Sequence, residues 1–158
     1  MHSHLEALTT LFEGAPRFVG RLQATEAASW AELLDQAEQI ALAMPEDEQI
    51  ELLDAHPRIG ADPATVSALS YGEQGYDRDA GNAELHARLN WLNDEYEQRF
   101  GFRFVVFVAG RSRSEIADLI ETRLGQARES EKRRGLRDVV AIARSRLAKL
   151  AVAPEEGR

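Results

Sequence analysis

One segment of this chain, Phe102-Arg103-Phe104-Val105-Val106-Phe107-Val108, carries the aromatic and β-branched residues of a strand, and no other segment does. A strand without a partner cannot build a sheet, so the rest of the fold must be helical. The segment is then either a lone buried extended stretch or an aromatic opening to the next helix.

The remaining apolar residues recur with a helical period. Ser29 and Glu32 form a capping box, and Leu33, Leu34, Ala37, Ile40, Ala41 and Met44 follow on one face. Pro45 opens the next helix, with Glu46, Asp47 and Glu48 in the turn where the dipole favours acid. Pro57 disfavours the α conformation at His56 and stops that helix. Upstream, Ser3 with Glu6 predicts a cap for a first helix whose Leu5, Leu8, Leu11 and Phe12 share a face. Gly14 and Pro16 end it, and a short helix follows from Pro16 to Leu22. Residues 57–81 are the least regular part of the chain. Leu85, Leu89, Leu92 and Tyr96 mark a helix over Ala83 to Arg99, with Gly101 at its C′ position. Ser114 is expected to cap a helix carrying Ile116, Leu119, Ile120 and Leu124, closed by Gly125. The last helix runs from Ala127 to Leu150. The expectation is an all-α fold: a compact single-domain helical bundle of about 7–9 helices with one buried extended apolar segment. The domain spans residues 4–151, with 1–3 and 152–158 frayed.

Composition narrows the function. The hydrophobic share is 44% and the charged share 29%, ordinary for a globular domain. The chain has no Cys, which excludes disulfides, thiolate metal sites and a cysteine nucleophile. A net charge of −8 argues against nucleic acid and anionic membrane as partners. No apolar run approaches the roughly 20 residues of a membrane-spanning helix. The N-terminus lacks the basic and apolar regions of a signal peptide, and the C-terminus is not a peroxisomal tripeptide. The expected location is the cytoplasm.

Three features break the bland pattern. Arg146 falls inside the stripe formed by Leu136, Val139, Ala143, Leu147 and Leu150 on the last helix. A guanidinium there needs an anion or carbonyl partner, unless it snorkels with its head in water. His56 sits at a helix end just before Pro57, either as a dipole-favoured terminal histidine or as a pinned group for proton transfer. Ser70-Tyr71-Gly72-Glu73-Gln74 is another S-x-x-E pattern, but Gly72 and Gly75 would make a poor helix behind it. It is either a cap or a turn presenting hydroxyl, carboxylate and amide together. No metal-binding cluster, phosphate-binding loop or nucleophile-elbow motif is present.

Taken in order, several pieces resemble the OHCU decarboxylase family. These are His56-Pro57-Arg58-Ile59-Gly60, Ser70-Tyr71-Gly72-Glu73-Gln74, Phe100-Gly101-Phe102-Arg103-Phe104-Val105-Val106, Glu121-Thr122-Arg123-Leu124 and Ile142-Ala143-Arg144-Ser145-Arg146-Leu147. The family acts on 2-oxo-4-hydroxy-4-carboxy-5-ureidoimidazoline (OHCU) in urate degradation. The resemblance implies a dimeric all-α enzyme with a cyclic ureide substrate and no metal or organic cofactor. It makes His56 and Glu73 catalytic. It assigns substrate contacts to Pro57, Ser70, Gln74 and Arg146, and backbone contacts to Phe104, Val105, Val106, Phe107 and Val108. Gly75-Tyr76-Asp77 departs from the Ala-Gly-Leu common in the family at that point, and the His56–Ser70 loop is shorter than in many members. A lyase or hydrolase on a related cyclic ureide, and a non-catalytic helical interaction module, are the alternatives.

Overall fold

The computed structural model describes residues 2–60 and 83–152. Among these residues there are seven helices and no strand: α1 (His2–Leu11), α2 (Pro16–Gln23), α3 (Trp30–Ala43), α4 (Glu46–Asp54), α5 (Ala83–Phe100), α6 (Arg113–Arg123) and α7 (Arg128–Val152). Phe104–Val108 is neither helix nor strand. The fold is all-α, as the missing strand partner requires. The chain forms two compact units, residues 1–55 with 136–158, and residues 56–135. Helix α7 contributes its first turns to the second unit and the remainder to the first.

In the first unit, Leu8, Leu11 and Phe12 are buried and Phe12 meets Phe18 of α2 edge-on at 4.9 Å. Leu5, expected on the same face, is 43% exposed. Helix α1 already includes His2 and Ser3, so it begins before the expected start at Ser3. Gly14 turns the chain at φ +76°, where Ala55 leaves little room for a side chain. Pro16 then occupies the first turn of α2. The Ser29 hydroxyl accepts from the Glu32 N–H at 3.1 Å, capping α3 as expected. Gln49 of α4 is buried and donates to the Ala41 and Leu42 carbonyls at 2.9 and 3.3 Å, satisfying the open end of α3. Arg17 and Arg21 of α2 bind Asp47, Glu51 and Glu48 of α4.

In the second unit, α5 supplies the core with Leu85, Leu89, Leu92, Tyr96 and Phe100. Gly101 follows at φ +84°, its N–H on the Glu97 carbonyl at 2.8 Å. Helix α6 is capped by Ser112, not Ser114, in a reciprocal capping box with Glu115. Only Ser112 stands three residues before an acid that can answer it. Leu150, expected on the buried stripe of α7, is 42% exposed.

Candidate active site

Helix α4 ends at Asp54, and His56 follows the α-conformation cap residue Ala55. The Pro57 ring holds this exit away from helix. His56 is 9% exposed, buried yet without an apolar side chain's reason to be so. Next to half-buried Pro57, Arg58 makes paired 2.8 Å bonds to both Glu97 oxygens and another to Asp94. These carboxylates, Glu97 foremost, push the Arg58 pKa up. The ion pairs fasten the His56 turn to α5. Asn93 adds a buried bond to the Ile59 carbonyl at 3.1 Å.

Arg103 donates to the His56 carbonyl at 3.1 Å. Arg103 is the residue before Phe104, so one side chain ties the histidine turn to the start of the apolar segment. In that segment Phe104, Val105, Val106 and Val108 are buried and Phe107 is half-buried. Three of its carbonyls are met by side chains. Arg134 donates to Val105 O at 3.1 Å, and Arg111 donates to Phe107 O at 2.6 Å and to Val108 O at 3.0 Å. The N–H groups of Phe104, Val105, Val106 and Val108 have no acceptor among the described residues. A buried stretch in which three carbonyls are paired while four N–H groups find no acceptor among the described residues is unusual, because buried polar groups are nearly always paired. Chemically it is a row of N–H groups suited to carbonyl oxygens or developing oxyanions.

Behind the segment lies a charged cluster. Glu131 is 0% exposed. It accepts from the Tyr96 hydroxyl at 2.8 Å, Arg134 Nε at 3.2 Å and Arg123 Nη1 at 3.5 Å. Burial, and then the bond to the Glu131 carboxylate, push the Tyr96 pKa up, so the phenol stays a donor. The sequence pattern gives Arg103, Arg111, Tyr96, Glu131 and Arg134 no role in the site. The i, i+3 spacing of Glu131 and Arg134 is the one signal there, and it reads equally well as a surface pair.

Arg146 belongs to the first unit and is 2% exposed. Its head is not in water. Nη1 donates to the Thr10 and Leu11 carbonyls at 3.3 and 3.2 Å, and Nη2 lies 3.8 Å from Glu13. Thus His56, Pro57 and Phe104–Val108 share the second unit, and Arg146 is in the first. Ser70, Glu73 and Gln74 lie outside the described residues.

A family model described as OHCU decarboxylase matches residues 2–148. The chain belongs to the OHCU decarboxylase family. The 2-oxo-4-hydroxy-4-carboxy-5-ureidoimidazoline decarboxylase of Haloferax volcanii is 28% identical over 147 residues, covering 92% of this chain and 88% of that protein. The uric acid degradation bifunctional protein PucL of Bacillus subtilis is 34% identical over 113 residues, or 69% of this chain; the match spans only 22% of that longer protein. A solved OHCU decarboxylase, crystallised in the presence of (S)-allantoin, shares the fold with a TM-score of 0.73 and 22% identity, covering 90% of this chain and 94% of that one.

Proposed function

We propose that this chain decarboxylates OHCU to (S)-allantoin and CO2, as a cofactor-independent carboxy-lyase in urate degradation. The observation that carries this reading is the buried Phe104–Val108 backbone: its Val105, Phe107 and Val108 carbonyls are occupied, and the N–H groups of Phe104, Val105, Val106 and Val108 have no acceptor among the described residues. Family membership makes a cyclic ureide the substrate class, and such a ring presents the carbonyl oxygens that these donors suit.

The bond from the ring carbon to the carboxylate breaks and CO2 leaves. The electron pair delocalises into the adjacent ring system, so negative charge grows on a ring oxygen. Fixed N–H donors aimed at that oxygen bind the transition state more tightly than the ground state. His56 moves a proton, taking it from the substrate hydroxyl or delivering it to the carbanion. Delivery from one side explains a single stereoisomer. Glu73 orients His56 or the hydroxyl and favours the imidazolium. Pro57, Ser70 and Gln74 line the substrate. Arg146 takes carbonyl oxygens of the ring or ureido group. A grip on the departing carboxylate would stabilise the ground state and slow the reaction.

The enzyme works as a homodimer in the cytoplasm. A cysteine-free composition suits a reducing compartment, and no helix among the described residues is long and apolar enough to cross a membrane. Sedimentation at twice the 17.6 kDa of one chain is the expected result for the dimer.

Freshly generated OHCU is the test. Circular dichroism should report (S)-allantoin forming well above the spontaneous rate, and His56→Ala should return the reaction to that rate with the helical spectrum unchanged. A wild-type chain no faster than the uncatalysed reaction ends this reading and favours a helical module without chemistry. Stereospecific turnover by His56→Ala removes the histidine from the mechanism.

A further inference from the structure

We propose that Arg134 and Arg111 are positioning residues that aim the catalytic N–H donors by holding the opposite ends of the same peptide groups. The proposal rests on the function just given. Each amide plane is shared between neighbours: the carbonyl of Val105 and the N–H of Val106 belong to one rigid unit, as do the carbonyl of Phe107 and the N–H of Val108. No cis peptide bond occurs among the described residues. In a trans peptide the N–H points opposite to the carbonyl. Arg134 on Val105 O therefore directs the Val106 N–H away from itself, and Arg111 on Phe107 O does the same for Val108.

The distinctive point is where the carbonyls find their donors. Pairing with another strand would satisfy carbonyls and N–H groups together. Side-chain guanidiniums satisfy the carbonyls only, and the N–H groups of Val106 and Val108 have no acceptor among the described residues. A cation at the carbonyl also polarises the peptide, which strengthens the N–H at its other end.

Both arginines are themselves fixed. Arg134 divides its planar fork between Val105 O and the buried Glu131 carboxylate, at 3.1 and 3.2 Å, and lies over the Phe104 ring at 5.1 Å. Tyr96 holds Glu131 from the other side at 2.8 Å. Arg111 is held by the tight turn before it. Its own N–H bonds Val108 O at 3.0 Å, across Ala109 at φ +52° and Gly110 at φ +80°. A non-glycine residue in the left-handed region is uncommon. Here it returns Arg111 onto the segment it has just left.

The experiment measures kcat and KM for OHCU with wild type, Arg134→Lys and Arg111→Lys, at a temperature where circular dichroism finds each folded. Lysine keeps the charge but has no fork to divide between two acceptors. The expected result is a loss of kcat on the order of 10- to 100-fold with KM nearly unchanged, because the donors act on charge that exists only in the transition state. Folded variants with wild-type kcat, or with raised KM alone, overturn the proposal. Arg134 is half-buried and bonded to the fully buried Glu131, so if Arg134→Lys fails to fold, half-buried Arg111→Lys decides alone. Wild-type protein without activity is a different outcome: it refutes the decarboxylase reading, and the positioning role falls with it.

Discussion

A guanidinium cannot shed its proton, so a buried arginine must be solvated by the protein itself. Arg146 meets this requirement with the Thr10 and Leu11 carbonyls, at the end of α1 where the dipole is negative. Arg146→Ala would orphan both carbonyls and leave a cavity, and should cost about 2–4 kcal/mol in urea unfolding. On the proposed function it should also weaken (S)-allantoin binding in titration calorimetry. A variant that unfolds more readily but binds normally takes Arg146 out of the substrate site. The position of Arg146 could be read from the sequence because a charge interrupts an apolar stripe. The roles of Arg103, Arg111 and Arg134 could not. Their partners are backbone carbonyls, and a pattern of side chains says nothing about which carbonyl an arginine will find.

At the level of elements, periodicity located the helices with a clear apolar face, since amphipathic spacing follows directly from burial of one face, while proline and acidic start signals located α2 and α4. Ends were less legible. The stretch Ser112-Arg113-Ser114-Glu115 offers two serines, and only the reciprocal bond with Glu115 separates them. Ser112→Ala should cost about 1 kcal/mol of stability. Exposed Ser114→Ala should change it by no more than roughly 0.5 kcal/mol. Equal urea midpoints for the two variants would contradict the cap assignment. Propensity also could not decide between strand and helix for Phe104–Val108. The deciding fact is a set of arginines that reach it from outside the segment.

For the whole molecule, the acidic balance has a local consequence in the first unit. The Arg17 hydrogen bond holds the Asp47 carboxyl below its ordinary 3.8, and the Arg21 bond holds Glu48 below its ordinary 4.5. A lowered folded-state pKa gives stability that is complete above the ordinary value and is lost as pH falls through the folded one. The contribution of these pairs should therefore persist from neutral pH to about 4.5 and decline below it. Urea midpoints measured across this range should fall less steeply in Arg17→Ala and Arg21→Ala. High salt should blunt the same difference, most of all for the exposed Arg17–Asp47 pair. A single domain over residues 4–151 requires the two units to open together. Hydrogen exchange in rising urea, followed by mass spectrometry on peptides from α3 and α5, should then give one common midpoint; separate midpoints would divide the chain. The Phe104–Val108 backbone adds a constraint of another kind. Uncharged, proline-free and rich in β-branched and aromatic residues, it has the makeup of a fibril-forming core. In the native chain, concealment protects it; on the ribosome or after heating, only the flanking charges of Arg103 and Arg111 do. Selection on this protein must then act on how quickly the stretch is hidden, as well as on turnover.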